Sequence, residues 1–287
     1  GRVRRGGMGS RGQGRLICSE ERVRWFSRLQ ASRWLSGRLK VLSGFRPGFL
    51  VPVIGLLKGL MDPIVGLSMG QTAENLATRL GITREHMYAH AVESHKRLFV
   101  ARESGFLGEI ESSYDSSGNF YEHDDGLRPD SSVEALAKLR PVFDRRFGNI
   151  TAGNSAQVTD GAAWVLLASE TAVEKYGLSP MAEIVDTQWA ALDPAEMGLG
   201  PVHAVIPMLS RHKLGPDQID YWELNEAFAA QVPACLSAWK NSQYCSDEFG
   251  LSSAFAKAPH ECLNVDGGVL SPGHPVCVRG ARCLCAL

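Results

Sequence analysis

The sequence predicts an α/β protein, and three observations carry that prediction. Segments with helical periodicity alternate with short apolar runs of strand character. One stretch, "IDYWELNEAFAAQVPACLSAW", passes from a strand pattern through a polar junction directly into a helix pattern. A length of 287 residues with 44% hydrophobic content supplies a substantial core, as one large domain or two modest ones.

The elements follow in chain order. Residues 1 to 50 hold twelve Arg/Lys against Glu20 and Glu21, about +10, whereas the remaining 18 basic and 29 acidic residues leave the rest of the chain near −11. Trp25, Phe26 and Trp34 recur at helical spacing among these arginines, which predicts an amphipathic surface helix lying on a membrane or a partner. A solvated face or a poorly ordered end is the alternative. The opening "GRVRRGGMGSRGQGR" lacks the apolar stretch of a secretory signal and, being Arg-rich and acid-free, faintly resembles a mitochondrial presequence. The apolar run "FLVPVIGLL" is too short to span a bilayer and contains Pro52, so no transmembrane helix is expected.

"MGQTAENLATRLG" predicts a helix that stops at Gly81. Thr83 caps a longer one, "REHMYAHAVESHKRLFVARESG", with Met87, Ala91 and Leu98 on one face and Gly105 at its end. Residues 111 to 132 are polar, acidic and turn-rich, an excursion from the core. After the helical "SVEALAKLR", Gly153, Asn154 and Gly161 frame a tight loop that feeds a buried strand, "AAWVLLAS", and a short helix. "AEIVDTQWAA" is the next predicted strand, "VHAVIPMLSRH" the next helix, and "IDYWELN" a strand that delivers Asn225 to the sheet edge while Glu226 begins a helix.

That edge and one other stretch could carry chemistry. An amide at position 225 can hold a catalytic water or an oxyanion; otherwise it caps the helix. In "NVDGGVLSPGHP", Gly267, Gly268 and Gly273 permit a tight bend, and Pro272 and Pro275 stiffen it around His274. A histidine held this way can act as base or oxyanion donor near neutral pH, or be an ordinary surface residue. His260, Cys262, His274, Cys277, Cys283 and Cys285 lack the paired spacings of a zinc site, so no metal is expected. Phosphate-loop, dinucleotide and GxSxG fingerprints are absent. No aromatic-basic platform or recognition helix accompanies the N-terminal charge, so no nucleic acid is expected. Seven irregularly spaced cysteines suit a reducing compartment: cytoplasmic, with mitochondrial as the alternative.

Six ordered motifs, "MGQTAENLA", "LAKLRPVFD", "TAGNSAQVTDGAAWVLLASE", "MGLGPVHAVIPML", "LNEAFAAQ" and "NVDGGVLSPGHP", make residues 19 to 276 resemble the thiolase family of coenzyme A-dependent acyltransferases. The flanks of the first motif and the insertion "NSQYCSDEFGLSSAFAKAPHECLNV" are more similar to the long-chain or trifunctional-complex branch. The resemblance implies a thiolase-like layered αβαβα fold, incomplete because part of the first half is missing. It divides the chain into a basic arm with a remnant of the first half (1–48), a loop domain with its flanks (49–148) and a second α/β half (149–287).

The implied activity is cleavage or formation of a 3-oxoacyl-CoA in fatty-acid β-oxidation, with coenzyme A as co-substrate and no other cofactor. His274 would deprotonate the nucleophile and bind an oxyanion, Asn225 would hold a water on the thioester oxygen of the enolate, and Glu226 would support it. Met69, Gly153, Asn154, Ser155, Ala156, Phe228 and Gly273 would bind substrate, with the loop from Gly153 to Gln157 along the pantetheine arm. Implied partners are acyl-CoA and coenzyme A, a second copy in a homodimer, a hydratase/dehydrogenase subunit, and a membrane touched through residues 22–60. Both family cysteine motifs are missing, "CVRG" replaces the Gly-Ala-Ser-Gly that follows GHPV, and Ala156 stands where a hydroxyl residue is common. These departures predict a truncated or frame-disrupted thiolase. They leave open a non-catalytic relative that keeps the coenzyme A cleft, or a non-functional gene fragment.

Overall fold

The computed structural model describes residues 16–32, 34–255, 260–276 and 278–287. The first fifteen residues of the basic arm, Arg33 and Cys277 therefore lie outside the described residues. The chain divides into two compact units, Gly1–Gly66 and Leu67–Leu287.

In the first unit, β1 (Leu16–Ile17) pairs antiparallel with β2 (Val53–Ile54). Between them run α1 (Glu20–Ala31), capped by the Ser19 hydroxyl, and α2 (Leu35–Ser43); α3 (Gly55–Gly59) follows β2. The Trp25 indole joins the first two helices, donating to the Val41 carbonyl at 2.8 Å and meeting the Phe26, Phe45 and Phe49 rings at 5.0 to 6.4 Å. Neither helix buries a residue, and the single helix expected through Trp25, Phe26 and Trp34 is divided: the first two lie on α1, while Trp34 is the extended N-cap of α2.

The second unit is built on helices whose ends are legible in the sequence. α4 (Met69–Arg79) opens with a capping box between Ser68 and Gln71. α5 (Arg84–Glu103) is capped by Thr83 and turns left-handed at Gly105. It buries Met87, Ala91, Ser94, Leu98 and Ala101, the one-face spacing of 3.6 residues per turn. The polar excursion carries an exposed two-residue hairpin, β3 (Ser113–Tyr114) with β4 (Phe120–Tyr121). α6 (Val133–Ala137), α7 (Glu170–Tyr176), α8 (Gly200–His212), α9 (Gln231–Lys240), α10 (Ser242–Phe249) and α11 (Arg279–Cys285) complete the set. The core packs Leu76, Met87, Ile150, Leu199, Val202, Ile206, Val232 and Trp239, with Trp239 5.4 Å from Trp222.

The three strands expected in this unit do not form. Residues 162–169 are irregular, with Trp164 76% and Leu166 86% exposed, although the sequence reads as a buried strand. Residues 182–191 are likewise irregular, and Trp189 is 92% exposed. In 219–225 the strand shrinks to one parallel bridge, Trp222 with Leu263. Nor does Glu226 begin a helix: the chain stays non-helical through the bridge at Phe228 and a turn at 229–230, the helix starts at Gln231, and its N-cap is Ala230, which overturns both the Glu226 placement and Asn225 as a helix cap. A helix satisfies its backbone within itself, whereas a strand needs a neighbour for every N–H and C=O. Where the described residues offer no neighbour, strand-prone sequence stays extended and exposed.

Candidate active site

The loop from Gly153 is set first. A short 3₁₀ turn at Ala152–Asn154 is closed by Thr151, whose hydroxyl accepts from the Gly153 amide at 3.3 Å. The Asn154 side chain is wholly buried; its Oδ1 accepts from the Thr151 amide at 2.7 Å and its Nδ2 donates to the Asn149 carbonyl at 2.9 Å. Asn154 therefore fastens the loop from inside. The Ser155 hydroxyl donates to the Thr151 carbonyl at 2.7 Å, so it too is engaged locally.

From here the chain runs extended through 155–158, with a neighbour on each side. On one side Ser155 bridges antiparallel to Phe228, the Ala156 amide donates to the Ala227 carbonyl at 3.0 Å, and the Ala229 amide donates to the Asn154 carbonyl at 2.8 Å. On the other, Val158 bridges parallel to His274, and the His274 amide donates to the Gln157 carbonyl at 2.7 Å. The segment 154–158 thus has 227–229 on one side and His274 on the other, with Asn225 two residues ahead of the first contact. Gly273 makes the approach possible: its φ of +102° is open to glycine, and a Cβ there would collide with the Thr159 side chain. Asn225 and His274 are both half-buried. Met69 is half-buried at the start of α4. The neighbouring Gly70 packs on the Phe143 ring, which lies 6.0 Å from that of Phe228.

Glu226 is the centre of a polar cluster whose other members, His90, Ser94, Asn264 and Ser271, sequence reasoning missed. The Glu226 carboxylate is buried and spans three parts of the chain. Oε2 accepts from the Ser94 hydroxyl at 2.8 Å; Oε1 accepts from the Asn264 amide at 2.7 Å and lies 3.0 Å from His90 Nε2. Burial pushes the Glu226 carboxyl up most strongly, but His90, Asn264 and Ser94 together outweigh it and hold the group below the usual glutamic-acid range. Ser94 Oγ also accepts from the Gly268 amide at 3.1 Å, and Ser271 Oγ donates to the Ser94 carbonyl at 3.1 Å. Gly268 presses so closely on the Glu226 carboxyl group that a Cβ would overlap it. Asn264, left-handed at φ +48°, grips Leu224 through both amide atoms, accepting from its N–H at 2.7 Å and donating to its C=O at 2.9 Å. The available signal was polarity on a buried helix face: Ser94 stands among Met87, Ala91 and Leu98.

A cavity of about 810 Å³ lies elsewhere, lined by Glu93, Lys96, Arg97, Tyr221, Trp222 and Asp266, and includes neither Asn225 nor His274. Cys235 and Cys245 are buried, and burial pushes the Cys235 thiol up to about 12. Among the described residues no group of three or more His, Cys, Asp or Glu is arranged to hold a metal ion, and no helix is long and apolar enough to cross a membrane.

Comparison with known proteins adds independent findings. The family models "Thiolase, N-terminal domain" and "Thiolase, C-terminal domain" match residues 48–171 and 178–287. A 3-ketoacyl-CoA thiolase of Pectobacterium atrosepticum is 34% identical over 257 residues, 88% of this chain and 58% of its own length. Among solved structures, the acetyl-CoA acetyltransferase of Bacillus anthracis superimposes with a TM-score of 0.71 at 34% identity, covering 83% of this chain and 57% of that one. The human mitochondrial 3-ketoacyl-CoA thiolase in complex with CoA gives 0.72 at 28% identity, covering 98% and 62%. The chain therefore spans about three-fifths of the length of these relatives.

Proposed function

The chain belongs to the thiolase family, and from that premise we propose that it carries the coenzyme A-binding and oxyanion-holding part of a 3-oxoacyl-CoA thiolase. The observation that supports this most is that the segment 154–158 is flanked by 227–229, which follow Asn225 in the chain, on one side and by His274 on the other. In the proposed cleft the loop from Gly153 to Gln157 runs beside the pantetheine arm. Met69, Ala156, Phe228 and Gly273 shape the acyl-thioester pocket, with Asn154 and Ser155 holding the loop in place.

The reaction adds the thiol of coenzyme A and a 3-oxoacyl-CoA to give two shorter acyl thioesters. Cleavage between Cα and Cβ leaves electrons on the thioester enolate, so donors fixed at its oxygen lower the barrier. We assign that oxygen to a water held by Asn225, and assign His274 as the proton acceptor for the attacking thiol and a donor to the second oxyanion. Glu226 supports Asn225. Cys235 is buried, donates its Sγ proton to the Gly198 carbonyl and has its thiol pushed up by burial, so it is not placed to attack a substrate.

The absence of both family cysteine motifs from the sequence favours a second reading, a non-catalytic relative that binds coenzyme A. Calorimetry with coenzyme A and turnover of a 3-oxoacyl-CoA followed by loss of its enolate absorbance separate the two. Binding with turnover supports the enzyme, binding alone supports the non-catalytic relative, and neither overturns the cleft.

Partners follow from the same premise. Acyl-CoA and coenzyme A are the small-molecule ligands, and a second copy and a hydratase/dehydrogenase subunit are the protein ones, tested by light scattering and co-purification. Residues 22–60 would contact an anionic membrane. From 16 to 66 the described side chains include seven cations against Glu20, Glu21 and Asp62, interleaved with exposed Phe26, Trp34, Leu35 and Leu39. Salt-sensitive co-flotation with anionic vesicles tests this contact. The compartment we assign is the cytoplasm, with the mitochondrion as the alternative.

A further inference from the structure

We propose that His90 is a positioning residue for the Asn225 turn, acting through the buried carboxylate of Glu226. The inference rests on the reading of that turn as part of a coenzyme A cleft. A carboxylate removed from water is tolerated only when its oxygens are compensated. Ser94 and Asn264 supply neutral donors, and His90 is the one side chain capable of positive charge that the described ion pairs bring to Glu226.

The other titratable groups nearby make their hydrogen bonds elsewhere, although the His95 imidazole also feels the Glu226 charge. His95 Nδ1 accepts from the Arg128 amide at 3.2 Å, and Arg97 is spread over the Leu263 carbonyl, the His260 carbonyl and the Glu93 carboxylate.

Geometry makes the pair a lever rather than an isolated contact. His90 and Ser94 are one helical turn apart on α5 and address the two oxygens of the same carboxylate. Gly268 fills the space behind that carboxylate so closely that Glu226 has no room to relax sideways. Glu226 directly follows Asn225, and Gly268 opens the bend that ends at Gly273 and His274. A shift at position 226 is therefore passed to both proposed oxyanion groups. The His90 side chain is 16% exposed, so the pair sits at the border between solvent and core. Its Nε2 stands at ion-pair distance from Oε1.

The test uses the full chain with His90→Leu and His90→Gln, since glutamine keeps a donor near the Nε2 position. Hydrogen exchange read by mass spectrometry should show amides 222–228 exchanging at least about tenfold faster in His90→Leu while 234–240 are unchanged, with His90→Gln within about twofold of the unmodified chain. Coenzyme A affinity should follow the same order. Unchanged exchange at 222–228 in His90→Leu, or His90→Gln behaving like His90→Leu, overturns the proposal. Absence of coenzyme A binding by the unmodified chain removes the cleft reading, and the exchange pattern still decides whether His90 positions the turn. Should His90→Leu not fold, nitrogen-15 spectra of the unmodified imidazole decide the matter: a proton on Nε2 supports the proposal, and a bare Nε2 overturns it.

Discussion

Two regions of the second unit have opposite fates, and the more apolar of them is the one left in solvent. In α4, α5 and α9 the apolar residues are buried around Trp239, whereas residues 162–168, "AAWVLLA", and 183–190 leave theirs in solvent. The difference is not hydrophobicity but where hydrogen-bond partners come from. Each helix closes its own ladder and needs a neighbour only for its apolar face. Each strand needs a neighbour for its backbone as well, and no described strand lies beside these.

The sharpest way to break this comparison is a matched pair of truncations. Trp239→Ala removes a side chain that is 1% exposed and packed on Trp222 and Phe255, and should cost about 3–5 kcal/mol in chemical denaturation. Trp189→Ala removes one of the same size at 92% exposure and should stay within about 0.5 kcal/mol. Equal losses would mean that 183–190 is packed in solution.

A smaller effect separates the site's backbone from ordinary helix ends. Gly268→Ala forces a methyl onto the Glu226 carboxyl group and should destabilise by about 1–3 kcal/mol, the range for overpacking, with coenzyme A affinity falling as well. Gly200→Ala meets nothing within 4 Å at the first residue of α8 and should be neutral or stabilising by up to about 1 kcal/mol. The melting temperatures of the two variants read the contrast directly.

Acid should act on the buried cluster before it acts on the exposed region. Burial most strongly, then Arg128, lowers the His95 pKa, partly opposed by Glu226 and Asp130. The unfolded chain therefore takes up that proton first, and stability falls as pH drops below the ordinary histidine value of about 6.5. Glu226 is also depressed, so its contribution is complete above the ordinary glutamate value of about 4.3 and is lost as pH falls through its lower folded value. Melting curves carried from pH 7 to well below 4 should decline in that order, and His95→Gln should flatten the upper part of the decline.

The smallest effect on folding is at Leu166, 86% exposed within the uncharged apolar run. Leu166→Lys should move stability by less than about 0.5 kcal/mol while reducing aggregation measured by light scattering.

The same contrast explains what the sequence discloses. Ser68, Thr83, Gly105 and Gly177 mark helix ends through local chemistry, and each lies where its residue type predicts. Of the tight loop expected between Gly153 and Gly161 only the turn at Ala152–Asn154 forms, and the chain then runs beside Phe228 and His274, contacts that no local pattern announces. Strands at 162–169 and 182–191 were misread because alternation and β-branching describe a preference that only a neighbour can realise. The Glu226 cluster was hidden for a related reason: His90, Ser94, Asn264 and Ser271 lie up to 181 positions apart, and each alone is an unremarkable polar residue.

Asn264 shows how little is needed to hold such a segment in register. Its carboxamide offers Leu224 one donor and one acceptor, the same two groups a peptide unit on an adjoining chain would present. A single side chain thus impersonates a fragment of missing sheet and pins the chain just ahead of Asn225. Aspartate at 264 would keep the outline and forfeit the mimicry, because a carboxylate has no proton to give back.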